Sequence, residues 1–245
     1  MELTILAASG GTGLELTRQA LARGHTVTAI ARRPERIDIG AAGAARTTGA
    51  ARATGVAGAT GAAGAAGAAG AAEATVNSAN SGRLRRVAAD VHDPESVARA
   101  LRGAEVVLSG LGAAAGGPSG TLTAGAQAVL AARPGRVLWL GAFGTGASGA
   151  AAGPVTRALL KLFLRKEIPD KVGADTAILA AGGTVFHAGP LSAGPVSSTR
   201  RTLGLGDVPK RLFPARISRA TVAAAMLDEA ESPRFTGMTA VPLEH

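Results

Sequence analysis

The sequence predicts an α/β protein with a doubly wound parallel sheet. A glycine cluster directly follows the first apolar run, and short apolar runs then alternate with helix-spaced stretches along the chain. With 245 residues, 47% of them hydrophobic, the chain can bury one core, so a single domain is expected.

Leu3 to Ala8 is a short apolar run that reads as a buried parallel strand. Leu14 to Arg23 follows helical spacing and stops at Gly24, and His25 to Ala31 is the next strand. Strand, glycine turn, helix and strand within about thirty residues form a βαβ unit. From Gly40 to Ala72 glycine then recurs on a three-residue register, with no proline between Pro34 and Pro94. Collagen needs proline, and glycine at every third position costs a helix about 1 kcal/mol each, so residues 40–82 are expected to form a disordered Ala/Gly-rich insertion. Leu84 to Asp90 is the third strand, and Pro94 to Leu101 a helix opened by proline. Ala104 to Ser109 and Arg136 to Gly141 are further strands, with a helix within Leu122 to Ala132 between them. Helices fit Thr156 to Leu164, Lys171 to Ala181 and Arg219 to Glu229, and strands fit Thr184 to His187 and Thr239 to Pro242.

Composition excludes several chemistries. There is no cysteine, so disulfides, thiolate metal sites and a cysteine nucleophile are all absent, which fits a cytoplasmic protein. His25, His92, His187 and His245 have no metal-ligand spacing, and no metal is expected. No apolar run approaches the roughly 20 residues a membrane helix needs, and the acidic Glu2 stands where a signal peptide would be basic. Net charge is +9, but the basic residues are dispersed and aromatic residues are only 2%, so no nucleic-acid partner is expected.

The strongest motif is Ala7-Ala8-Ser9-Gly10-Gly11-Thr12-Gly13, where the first strand becomes the first helix. Gly10 lets the backbone approach a pyrophosphate and Gly13 lets helix pack on strand, while free N–H groups and the helix dipole hold the negative charge. Ser9 and Thr12 add hydroxyl donors. A second strand that holds an NAD ribose ends in Asp or Glu, whereas this one ends Ala31-Arg32-Arg33 with Arg36 beyond. Arginine suits the 2′-phosphate of NADP(H). Asp90 and Val91 end the third strand and can border the adenine. Gly110, Leu111 and Gly112, after the fourth, can let the cofactor lie close to backbone.

These residues together resemble the NAD(P)H-binding, NmrA-like atypical short-chain dehydrogenases, which have a Rossmann-type fold. Flavin reductase and biliverdin reductase B are the nearest enzyme type. The resemblance continues through Gly141-Ala142-Phe143-Gly144 and Ile217-Ser218-Arg219-Ala220, and implies that Gly141 and Ala142 border the cofactor. Ala7 departs from it, standing where the family has the first glycine of its turn. So does Gly141, where flavin-reducing members have Ser, and so do Lys171 and Pro190, near positions where they have His. A common Arg-Pro is replaced by His187-Ala188.

Short-chain dehydrogenases commonly use a Tyr and Lys pair, and this chain has no tyrosine. The expected activity is therefore NADPH-dependent hydride transfer to a flavin, quinone or similar planar small-molecule acceptor, which needs little protein proton chemistry. Lys171 and His187 are the candidates for a charge or proton near the nicotinamide. The alternatives are a non-catalytic NADP(H)-binding redox sensor and a degraded paralogue. The chain is expected to act as a monomer or homodimer.

Overall fold

The computed structural model describes residues 1–40, 82–112, 118–153, 167–209 and 215–244. The expected Ala/Gly insertion, except at its two ends, and the helix expected at Thr156 to Leu164 lie outside the described residues.

In chain order the strands are β1 (Glu2–Leu6), β2 (Thr26–Ala31), β3 (Leu84–Ala88), β4 (Val106–Ser109), β5 (Arg136–Ala142), β6 (Thr184–Ala188), β7 (Leu191–Ser192), β8 (Arg201–Gly204), β9 (Ile217–Ser218) and β10 (Thr239–Leu243). The helices are α1 (Gly11–Ala22), α2 (Pro94–Ala100), α3 (Thr121–Ala131), α4 (Ile168–Ala180) and α5 (Arg219–Glu231). Eight strands make one sheet in the order β3-β2-β1-β4-β5-β6-β10-β8. The first six follow the Rossmann order and are parallel throughout, with β10 added in parallel next to β6.

Alternate residues of each strand feed two separate cores. Leu3 and Ile5 of β1, Val27 and Ala29 of β2, Leu138 of β5 and Phe186 of β6 face α1 and α5, where Leu16, Ala20, Val222 and Met226 close over them. Leu6, Ile30, Val107, Trp139 and Val185 point the other way, onto Val97 of α2, Val129 of α3 and Ala174 and Ile178 of α4. A strand covered on both sides has no polar face, which is why β1, β2, β4 and β6 read as continuous apolar runs. β3, at the edge, shows the opposite character, and Arg85 and Arg86 on it are exposed.

The sheet departs from the expected all-parallel form at its far edge, where β8 runs antiparallel to β10. β7 and β9 form a separate two-stranded parallel ribbon, with Leu191 opposite Ile217. None of these three strands is expected from the sequence, because each is short and none is a continuous apolar run.

Candidate functional site

The carboxyl ends of β1, β2, β3 and β4 open into a cleft of about 520 Å³. Its floor is main chain. Gly10 N–H donates to the Ala7 carbonyl at 2.9 Å, closing the turn that leads from β1 into α1. Ala7 sits at φ 59, the left-handed region that glycine enters freely and alanine does not. The turn persists with alanine at the family's first glycine position, at a cost in strain.

Two glycines beside the turn are there for space. A methyl on Gly13 would stand 2.2 Å from the Ala7 carbonyl oxygen, so α1 packs against its own strand only because the residue is glycine. A methyl on Gly110, just past β4, would stand 3.0 Å from Gly13 N. These contacts bring the end of β4 against the start of α1.

Three of the other four described helices have first-turn amides taken by side chains, while α4 has no side-chain cap. Asp93 accepts from Ser96 N–H at the start of α2, and the Ser218 hydroxyl accepts from Thr221 N–H at the start of α5. At α3 the Asp170 carboxylate, reaching across from α4, accepts from both Leu122 and Thr123 N–H. α1 has no side-chain cap, and the N–H groups of Gly11, Thr12 and Gly13 find no acceptor among the described residues. Unsatisfied donors at the positive end of a helix, two of them on the cleft-lining residues Gly11 and Thr12, are what a phosphate group binds. The residues present therefore fit the pyrophosphate of a dinucleotide.

Of the residues expected at the cofactor, Ala7, Ser9, Gly10, Gly11 and Thr12 line the cleft at the turn. Arg32 lines it at the end of β2. Asp90 and Val91 line it past β3, and Gly110, Leu111 and Gly112 past β4. Gly13 lies behind, in its packing role. Arg33 and Arg36 are exposed and outside the lining. The guanidiniums of Arg32, Arg33 and Arg36 have no hydrogen-bond or ion-pair partner among the described residues. Gly141 and Ala142 are also outside the lining, whereas their neighbour Leu140 is part of it. Asp90 is partly committed to its own loop, its carboxylate accepting from His92 N–H at 3.0 Å.

The two expected proton donors are not in the lining. Lys171 pairs with Glu167, the N-cap of α4 four residues earlier, at 3.8 Å. His187 is 1% exposed and is held on both ring nitrogens, with Asp175 Oδ2 3.1 Å from Nε2 and Ser148 Oγ 2.6 Å from Nδ1. Its ring lies behind Gly141, where a methyl would stand 2.7 Å from His187 Cδ2. The Ser148 hydroxyl also accepts from Gly144 N–H at 2.8 Å. This buried chain ties α4, β6 and the turn after β5 to one another.

The lining also includes side chains that the sequence reading passed over. His92 and Thr121 face each other across the cleft edge, His92 Nε2 lying 3.2 Å from the Thr121 hydroxyl. Leu140 and Leu191 supply an apolar wall, and Arg219, the first residue of α5, reaches in over Gly11. Arg219 reads in the sequence as an ordinary helix-start residue. Its only signal there was the Ile-Ser-Arg-Ala run that formed part of the family resemblance.

A family model described as NAD(P)H-binding matches residues 43–233. The chain belongs to the NAD(P)H-binding family. The matched range starts after β2, so the glycine turn is assigned by its geometry. No curated protein sequence matches the chain. Among solved structures, the NAD(P)H-binding chain is similar to a short-chain dehydrogenase/reductase from Veillonella parvula solved in complex with NADP, at 15% identity and a TM-score of 0.67, covering 98% of this chain and 93% of that one. It is also similar to ChuY, an anaerobillin reductase from Escherichia coli O157:H7, at 16% identity and a TM-score of 0.64, covering 100% and 97%. A third is the oxidoreductase ylbE from Lactococcus lactis, at 15% identity and a TM-score of 0.66, covering 99% and 90%. At these identities the likeness is one of fold. No helix among the described residues is long and apolar enough to cross a membrane.

Proposed function

We propose that this member of the NAD(P)H-binding family is an NADPH-dependent oxidoreductase that passes a hydride to a flavin, a quinone or a similar small planar acceptor. The observation that carries the reading is the pairing of uncapped α1 amides with an unpartnered Arg32 in the lining of the same cleft. β2 ends without the carboxylate that would hold a ribose 2′-hydroxyl, and a 2′-phosphate takes the place of that partner through Arg32. The NADP complex of the Veillonella parvula protein, with the same fold, supports the choice of dinucleotide.

Bound NADPH supplies the hydride. The chain contributes orientation and exclusion of water, with Leu111, Leu140 and Leu191 as apolar surface for planar rings. The titratable side chains in the described lining are Arg32, Asp90, His92 and Arg219. With no tyrosine in the sequence, and with Lys171 and His187 held elsewhere, a flavin or quinone suits the site, since reducing it demands little proton transfer from the protein. A chain without cysteine that works with a reduced dinucleotide fits the cytoplasm.

Titration of the purified protein with NADPH and NADH, for the natural chain and Arg32→Ala, tests the cofactor. The variant should lose about tenfold or more in NADPH affinity while NADH binding stays unchanged, as expected for a lost charge-assisted phosphate contact. Failure of the NADPH-loaded protein to reduce any of a panel of flavins, quinones and aldehydes would overturn the enzymatic reading. The second reading, a redox sensor, is favoured by the placement of Lys171 and His187 away from the cleft. It predicts markedly different affinities for NADP⁺ and NADPH, and equal affinities would exclude it.

A further inference from the structure

We propose that Arg219 is the second half of the phosphate grip, closing on the pyrophosphate from the side opposite the α1 amides, and that it serves NADPH and NADH alike. The proposal rests on the dinucleotide-binding reading above and assigns a binding residue to it.

Gly11 shows where the side chain lies. A methyl on Gly11 would stand 2.8 Å from Arg219 Cδ and 3.0 Å from Nε, so the arginine crosses directly over the first residue of α1. Gly11 is not among the glycines with positive φ, and nothing in its own backbone demands glycine. The atoms a larger residue would meet there belong to the Arg219 stem, which would have to move.

Three arginines packed around α5 are engaged. Arg23 pairs with Asp228 at 2.9 Å, Arg200 reaches the same carboxylate at 3.1 Å, and Arg136 donates to the carbonyls of Glu229 and Ala230. Arg219 has no hydrogen-bond or ion-pair partner among the described residues, yet its stem runs over Gly11, at the start of a helix whose first amides also lack acceptors. A cation over the positive end of a helix is unfavourable for both, and an anion between them satisfies both. The pyrophosphate carries that charge in both dinucleotides, whereas only NADPH has the 2′-phosphate that the proposed function gives to Arg32.

The root of Arg219 is fixed while its head is not. The Ser218 hydroxyl caps α5 and sits 2.7 Å from the Thr221 hydroxyl. The Glu244 carboxylate accepts from Ser218 N–H at 2.7 Å and from the Thr221 hydroxyl at 3.0 Å. This network places the arginine on the β9–α5 corner, across the cleft from the glycine turn.

The test titrates the full chain and Arg219→Ala, Arg219→Lys, Gly11→Ala and Arg32→Ala with NADPH and NADH, adds inorganic pyrophosphate as a competitor, and checks folding by thermal melting. Arg219→Ala should weaken both dinucleotides by the same factor, about tenfold to a hundredfold, leaving their ratio unchanged and lowering the salt dependence of binding. Arg219→Lys should recover part of the loss, and Gly11→Ala, by pushing the arginine stem aside, should weaken both again. Pyrophosphate should compete against the natural chain and poorly against Arg219→Ala. Arg32→Ala should instead change the NADPH to NADH ratio.

Unchanged affinities in a folded Arg219→Ala, or a loss confined to NADPH, would overturn the assignment while leaving the function standing. Unchanged dinucleotide binding with a raised KM for the acceptor would transfer the arginine to the acceptor and overturn it equally. If the natural chain binds neither dinucleotide, it is the functional reading that fails.

Discussion

At the scale of single residues, the site contains one position under strain and one network that competes with a catalytic reading. Ala7 holds φ 59 with a side chain that the left-handed region penalises, while glycine there loses only chain entropy. Ala7→Gly should therefore raise stability by about 0.5–1 kcal/mol, read as a higher Tm, and should not weaken dinucleotide binding. His187 makes the contrasting case. Removing its ring leaves Asp175 and Ser148, 4% and 0% exposed, without their shared partner. His187→Ala should cost about 3–5 kcal/mol in denaturant unfolding. If the residue acted on hydride transfer instead, kcat would fall in a variant that kept its stability. The places of Gly10 and Arg32 in the cleft lining and the packing of Gly13 behind it were legible in the sequence, because a turn glycine and a strand-end arginine carry their reason in their position. The embedding of His187 was not, since Asp175 lies on α4 and Ser148 in the turn after β5.

At the scale of elements, α3 depends on a neighbour. Its N-cap is Gly120 in the left-handed region with no side chain to offer, and Asp170 of α4 supplies the acceptor instead. Burial pushes the Asp170 carboxyl up, but hydrogen bonds from Thr123 and Leu122 and the nearby Lys171 outweigh it and hold the group below its ordinary value. A depressed carboxylate stabilises the fold at pH above its unfolded value and gives up that stability as pH falls through the folded one. Asp170→Ala should cost about 1–2 kcal/mol at neutral pH, and its melting curves should converge with those of the natural chain as pH drops below the carboxylate range. A constant gap across that range would refute the cap. The sequence made the seven parallel strands of the large sheet and all five described helices legible, most of the strands because burial on both faces leaves a strand mainly apolar. It missed β7, β8 and β9, whose two to four residues include Ser192, Arg201, Thr202 and Ser218 and whose pairing is set by distant strands.

At the scale of the whole molecule, the last strand serves the first turn. β10 fills the place between β6 and β8, and the chain then carries Glu244 back to the start of α5. Glu244→Ala should destabilise by about 2–3 kcal/mol and weaken dinucleotide binding, because it removes an ionised acceptor from the corner that carries Arg219. Loss of stability without any change in binding would separate the two. Trp139, fully buried between the sheet and α3, is the corresponding weight on the other core, and Trp139→Ala should cost about 3–5 kcal/mol by chemical denaturation.

The floor of the cleft is main chain, and that has a bearing on how this sequence can change. Alanine and glycine are abundant in this sequence, and a shift of composition toward the smallest residues would erode a pocket assembled from specific side chains. A pocket made of peptide groups survives it. Its vulnerability is narrowed to a few addresses, Gly13, Gly110 and Gly11, where a single added carbon meets backbone at 2.2 Å, backbone at 3.0 Å and the arginine at 2.8 Å. A comprehensive substitution scan of the turns after β1 and β4 should accordingly show wide tolerance broken by isolated, steep minima at Gly13 and Gly110 and a shallower one at Gly11, where a flexible side chain can yield.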